Sequence, residues 1–382
     1  MNVLIACDSF KGCMSSFEAC ASVKKGLERS SRTMNTQLFP MADGGEGFAD
    51  ILCHYIHGKM IEVDTLDLQG RRIRAAYAYH EEKKLAILDV ASCIGLNLYP
   101  KDRRNPLASS SYGVGLMMQD ALKRGSKKIV LGLGGSGTND GGAGILKAFG
   151  ARFYNKDREL LKDNAYSLEK IAFIDKRFVH IPKDVEFIVA CDVKNHLLGE
   201  NGCTYVFGKQ KGIYPSQMKW LDQAMAHYAQ KIDQTFHVDM NAFEGSGAAG
   251  GIGGVMLGVF HAKMVAGIDL TMQYAHFARA LKSADLVITG EGQTDLQTMY
   301  GKVCYGIARE AKKHHVPTIC LSGALGIGYE DLYNEGVIGI FSSADRAMDF
   351  NTALLHGQEK LEALAFSVGK LISGLEERKC GG

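Results

Sequence analysis

Residues 127–150 read KKIVLGLGGSGTNDGGAGILKAFG, and the order of residue types in them decides the fold class. Ile129 to Leu133 is a short apolar run of the kind that forms a buried strand. GGAGILKAFG, which follows almost at once, has the spacing of a helix. Between the two lies a turn of unusual bareness: seven of the fifteen residues 130–144 are glycine, with Thr138, Asn139 and Asp140 in the middle. Strand, polar glycine turn and helix form the repeating unit of α/β proteins, whose ligands bind beyond the carboxyl ends of the strands.

The same alternation extends in both directions. Residues 3–7, 36–43, 186–193, 285–292, 317–323 and 336–343 read as further strands, and most are followed by helical patterns. Ser15 and Glu18 have capping-box spacing at the start of one helix. SQMKWLDQAMAHYAQKI is another, and a last helix is expected from about Thr352 to Arg378. IRAAYAYH, EEKK and LAILDVA read instead as an antiparallel hairpin. The expected fold is therefore α/β with two domains. One is a Rossmann-like parallel-sheet domain formed by both chain ends, 1–65 and 270–382, and 66–269 form a mixed α/β domain inserted in it. GSGAAGGIGG (245–254) is expected to open an apolar helix in the insert.

Composition narrows the partners. With 44 basic and 42 acidic residues in 382, there is no field to attract nucleic acid or an anionic membrane. No run of ~18 apolar residues suggests a membrane span. Ten cysteines occur without a CxxC pair, several inside apolar runs, which suits free thiols in a reducing cytoplasm. A small-molecule partner is expected.

Five polar loops fall at predicted strand ends: CDSFKG (7–12), ADGGEG (42–47), GLGGSGTNDGG (132–142), CDVKNHLLGENG (191–202) and TGEGQTD (289–295). Bare main chain at a helix N-terminus offers N–H groups to phosphate oxygens. Carboxylates beside such amides would repel phosphate unless Mg²⁺ lies between them, so the mixture points to a Mg-nucleotide. Candidate acids are Asp8, Asp43, Glu46, Asp140, Asp192, Glu291 and Asp295. Candidate cations are Lys11, Lys194, Lys209, Lys211 and Lys302. GLGGSG also fits GxGxxG, with Asp157 about twenty residues on, which keeps a dinucleotide-dependent oxidoreductase open. A metabolite-binding regulator without catalysis is the other rival. No GxxxxGK[ST] motif or GxSxG elbow occurs. His54 with His57 reads as a surface face, and His314 with His315 as a helix end.

Taken in order, DSFKG, ADGGEG, GLGGSGTNDGG, CDVKN with LLGENG, TYVFG and QKG, GAAGG, and TGEGQTDLQT with GK resemble the type I glycerate kinase family over essentially the whole chain. The resemblance implies ATP- and Mg²⁺-dependent phosphorylation of D-glycerate, usually to 2-phosphoglycerate, with 3-phosphoglycerate as the alternative product. It implies a site in the cleft between two α/β domains. By position, Gly134, Gly135, Ser136, Thr138 and Asn139 would cradle nucleotide phosphate, with Glu291 and Lys302 also on the nucleotide. Asp192 would orient the glycerate hydroxyl, with Asp8, Lys11 and Asp295 as further catalytic groups. Asp43, Gly44, Gly45 and Asn195 would meet the substrate, and Asp140 and Glu46 the metal. Two positions depart from the family pattern. Gln293 stands where arginine is common, and His196 where proline is usual.

Overall fold

Strand β1 (Asn2–Cys7) pairs in parallel with β2 (Asn35–Leu38) on one side and β11 (Leu286–Gly290) on the other. Beyond β11 lie β13 (Thr318–Ser322) and β15 (Val337–Ser342), so the order is β15-β13-β11-β1-β2, parallel throughout; strands are numbered along the chain. Two short strands, β12 (Gln293–Thr294) and β14 (Ala324–Leu325), pair with each other. The helix Ser16–Ser30 connects β1 to β2 and begins with the expected capping box. Ser15 N–H donates to the Glu18 carboxylate at 2.8 Å, and Glu18 N–H to Ser15 Oγ at 3.3 Å.

The computed structural model describes the main chain of residues 1–31 and 33–380, and the side chains of all of these except Tyr300 and 376–380. Its contacts divide the chain into two units, one made of 1–43 with the segment from 268 onward, the other of 44–267. The second has the sheet order β10-β9-β6-β5-β4-β3. Here β3 is Lys59–Leu66, β4 Arg72–His80, β5 Leu85–Asp89, β6 Lys128–Gly132, β9 Glu186–Ala190 and β10 Lys263–Val265. Pairing is antiparallel from β3 to β5 and parallel from β5 to β10. A separate antiparallel pair joins β7 (Arg152–Tyr154) to β8 (Phe173–Asp175). Each unit has its own apolar core.

The hairpin 73–91 is present as β4 and β5. Its flank corrects the first domain boundary: β3 pairs with β4 along its full length, so residues 44–65 belong with the insert rather than with the chain ends. The helix at 248 is also less regular than its composition suggests. Within Ala248–Gly258, Ala249, Gly250 and Gly251 have φ of 53°, 67° and 95°, so its first turn is left-handed rather than helical. The closing helix is two helices, Phe350–Leu355 and Gly357–Cys380. At their junction a Cβ on residue 357 would lie 2.2 Å from Cys13 Sγ, so any larger residue there would have to displace that thiol. Among the described residues no helix is long and apolar enough to cross a membrane.

Candidate active site

In the unit formed by the chain ends, strand register places two acids side by side. Cys7 is paired with Gly290, so the next residues, Asp8 and Glu291, leave neighbouring strand ends together. Both are buried, at 6 % and 4 % exposure. Asp8 Oδ1 accepts the Ser9 N–H at 2.7 Å. Burial pushes the Asp8 carboxyl well above the usual carboxylate range, helped by the Asp43 and Glu291 charges and opposed by Lys11. Glu291 is likewise raised by burial, with Lys302 opposing. The Thr298 and Thr294 hydroxyls donate to Glu291 Oε1 at 2.7 and 3.2 Å. Lys302 Nζ stands 3.9 Å from Glu291 and 4.0 Å from Asp295, so this lysine brings a cation to the loop that carries Gln293. Gln293 donates to Asp295 Oδ2 at 2.8 Å. Asp295 itself caps the turn 296–300 by accepting the Gln297 N–H at 2.9 Å. A cavity of about 360 Å³ opens beside Asp8, Lys11, Glu291 and Lys302.

In the inserted unit, three glycine segments pack main chain to main chain. Gly134 N–H donates to Gly44 O at 2.9 Å and Gly141 N–H to Gly250 O at 2.9 Å. A Cβ on Gly44 would lie 2.7 Å from Ala190 O, one on Gly134 2.6 Å from Gly45 Cα, and one on Gly250 2.2 Å from Thr138 O. Many of these glycines are thus required by each other rather than by a ligand.

The 132–142 loop divides accordingly. Thr138, Asn139 and Asp140 are fully buried and face inward. Asn139 Nδ2 donates to Thr204 Oγ1 at 3.1 Å. Thr138 Oγ1 and Asn139 Oδ1 are buried without a hydrogen-bond partner among the described residues. Gly134 and Gly135 are its outward part, Gly135 at φ 74°, with Ser136 beside them. Among the described residues no acceptor is found for the N–H of Gly135 or Ser136.

Asp140 is not placed to hold a metal. Its Oδ2 accepts from Ser111 N and Oγ, both at 2.7 Å, and from Gly144 N at 3.2 Å, while Oδ1 accepts from Gly142 N at 3.1 Å. One buried carboxylate thereby caps the starts of two helices, Tyr112–Lys123 and Ala143–Ala148. Burial raises its pKa, and these bonds oppose the rise. Glu46 is exposed and accepts from Asn97 Nδ2 at 3.1 Å. Among the described residues no three His, Cys, Asp or Glu side chains form a metal cluster.

Lys211, one of five cations noted in the sequence, is the one that meets the glycine loop. It is 3 % exposed, and its Nζ donates to Thr138 O at 2.6 Å and Ser136 Oγ at 3.1 Å. Burial pulls its pKa down to about 8, against the Cys203 and Asp140 charges. Asp192 follows β9 and is half-buried. Asn195 Nδ2 donates to Asn201 O at 2.9 Å, and the Lys194 and Asn195 carbonyls accept from Gly245 and Gly247 N–H at 3.1 and 3.0 Å. His196 Nδ1 lies 2.8 Å from Asn241 O, which anchors the loop at this position. Sequence reading missed Asp89, which ends β5 as Asp8 follows β1. Burial raises its pKa to about 6, and it accepts from Ser92 N–H at 2.8 Å. The strand-then-acid pattern LAILD could have revealed it.

The dinucleotide reading fails on geometry. In that fingerprint the glycines open a helix, whereas here the helix starts at Ala143, six residues after Gly137. Asp157 lies in an exposed turn after β7, outside the main sheet.

The glycerate kinase family model matches residues 3–373. Glycerate kinase of Halalkalibacterium halodurans is 38% identical over 97% of this chain and 98% of its own. Glycerate 2-kinase of Escherichia coli K12 is 34% identical over 90% of each. The crystal structure of the candidate glycerate kinase 2 from Salmonella typhimurium LT2 superposes with a TM-score of 0.83 at 33% identity, covering 99% of both chains. With motifs, fold and full-length matches in agreement, the chain belongs to the glycerate kinase family and is a phosphotransferase.

Proposed function

We propose that the chain phosphorylates D-glycerate with ATP and Mg²⁺, forming 2-phosphoglycerate. The observation that carries this reading is the end-to-end match with glycerate kinases, and the name of the Escherichia coli relative favours the 2-hydroxyl. The charged groups fit the chemistry, because phosphoryl transfer needs positioning and charge neutralisation more than covalent help.

In this reading the main-chain N–H groups of Gly135 and Ser136, next to Gly134, receive phosphate oxygens. Lys211 fixes the Ser136 hydroxyl as acceptor and leaves its proton free to donate outward. Lys11 and Lys302 neutralise phosphate charge. Asp192 orients the glycerate hydroxyl and takes its proton, with Asn195 holding the loop and Asp43 and Gly45 meeting the organic acid, while Gly44 holds Gly134 in place. Asp295 keeps Lys302 in place, and Glu46 is a rim acid. Asp8 and Glu291 fit Mg²⁺. They are buried carboxylates that repel one another, and Mg²⁺ is commonly held by one or two carboxylates together with substrate phosphates. The ion would offset charge on the transferring phosphoryl group.

The test is direct. Purified chain given D-glycerate and MgATP should release ADP and give a phosphorus NMR doublet, since the 2-phosphate sits on a CH carbon. A triplet, from phosphate on CH₂, would assign the 3-hydroxyl. No ADP in the presence of D-glycerate would refute the activity, and ADP release unaffected by EDTA would refute the metal requirement.

A further inference from the structure

The cavity beside Asp8 is lined from two sources. The strand ends supply the acids with Lys11 and Lys302, and the segment 348–354 supplies Met348, Phe350 and Leu354, with Lys360 also in the lining. Phe350 starts the short helix Phe350–Leu355, which Asp349 caps by accepting the Thr352 N–H at 3.0 Å. No residue of that helix is buried, and Phe350 is 75 % exposed. An exposed aromatic ring at the rim of an apolar recess is the arrangement of a ligand pocket, and the volume is of ligand-site size.

The reactants differ sharply in what they could place there. Each carbon of D-glycerate bears oxygen, so that molecule has no apolar face to bury. A purine base is flat and aromatic, and its ribose leads to an anionic chain. A base against Met348, Phe350 and Leu354 and phosphates toward Lys11 and Lys302 match the two kinds of group in the lining. We propose that the wall formed by Met348, Phe350 and Leu354 is the subsite for the purine base of the nucleotide, with Phe350 stacking on the ring and Leu354 beneath it. The proposal rests on the ATP-dependent reading given above, and it adds the residues that hold the base.

Calorimetric titration of the full chain with ADP and, separately, with inorganic triphosphate tests it. In Phe350→Ala, and independently in Leu354→Ala, the ADP dissociation constant should rise about tenfold, the size of one lost base-stacking contact. Affinity for inorganic triphosphate, which has no base, should stay at the wild-type value. ADP affinity unchanged in both variants would overturn the subsite, as would an equal loss for ADP and triphosphate. Wild-type protein that binds neither ADP nor ATP would instead defeat the ATP reading itself.

Discussion

Replacing Lys211 by methionine probes the glycine loop through its buried cation. Lys211 ordinarily titrates near 10.5, and burial lowers this to about 8 in the folded chain. Between those values the unfolded chain binds more protons than the folded one, so the wild type gains stability as pH rises from 8 towards 10.5. Below 8 both states are charged and the full burial penalty is present. At about 1.4 kcal/mol per pH unit, the penalty is about 3 kcal/mol, of which roughly 2–3 kcal/mol is relieved between pH 7 and pH 10. Lys211→Met has no such titration. The difference in unfolding free energy, wild type minus variant, should therefore climb by about 2–3 kcal/mol over that range. Its absolute value at pH 7 is less informative, because methionine also leaves Thr138 O and Ser136 Oγ without their donor. The assay is urea unfolding followed by the fluorescence of Trp220. This is the sole tryptophan, and it lies in the same unit as Lys211, on the helix Pro215–Phe236. Parallel stability curves for the two proteins across pH 7–10 would refute the buried, depressed lysine.

Asp192→Asn should lower turnover ~10²-fold or more if Asp192 takes the hydroxyl proton, as measured by ADP release; near-normal turnover removes that role. In Asp140→Asn, either orientation of the amide turns its NH₂ towards an existing donor. Unfolding free energy should drop by about 3 kcal/mol, and an unchanged Trp220 unfolding midpoint would contradict the double cap. Gly250→Ala places a methyl 2.2 Å from Thr138 O at φ 67°, so destabilisation of about 3 kcal/mol or more is expected in the same assay. A fully stable alanine variant would show that the loops are not in main-chain contact.

The sheets, the hairpin and the acids at strand ends were legible because each is a local signal. An apolar run ends, and a charge or a turn follows. Asp8 and Glu291 were found this way, but their adjacency was not, since it depends on the register of strands far apart in sequence, Cys7 opposite Gly290. Asp140 was misread for the same reason. Its four donors come from Ser111, Gly142 and Gly144, and nothing in the sequence ties Ser111 to it. The glycines were read as openings for phosphate, whereas Gly44, Gly134 and Gly250 face other backbone. A missing side chain gives the same letter whether a ligand or a neighbouring strand fills the space. The boundary near 65 moved because β3, KMIEVDTL, carries three charges and does not read as a strand by itself, and only its pairing with β4 places it.

The mutual fit of residues 44–45, 134–141 and 250 also limits how the protein can be recombined. A chimera that imports one of these stretches from a relative of different loop shape would drive a carbonyl or methyl into its neighbours. Exchanging all of them as a set would keep the lattice of amides intact. Shuffling libraries screened for folded product should therefore show these distant stretches inherited together, as if they were one gene segment.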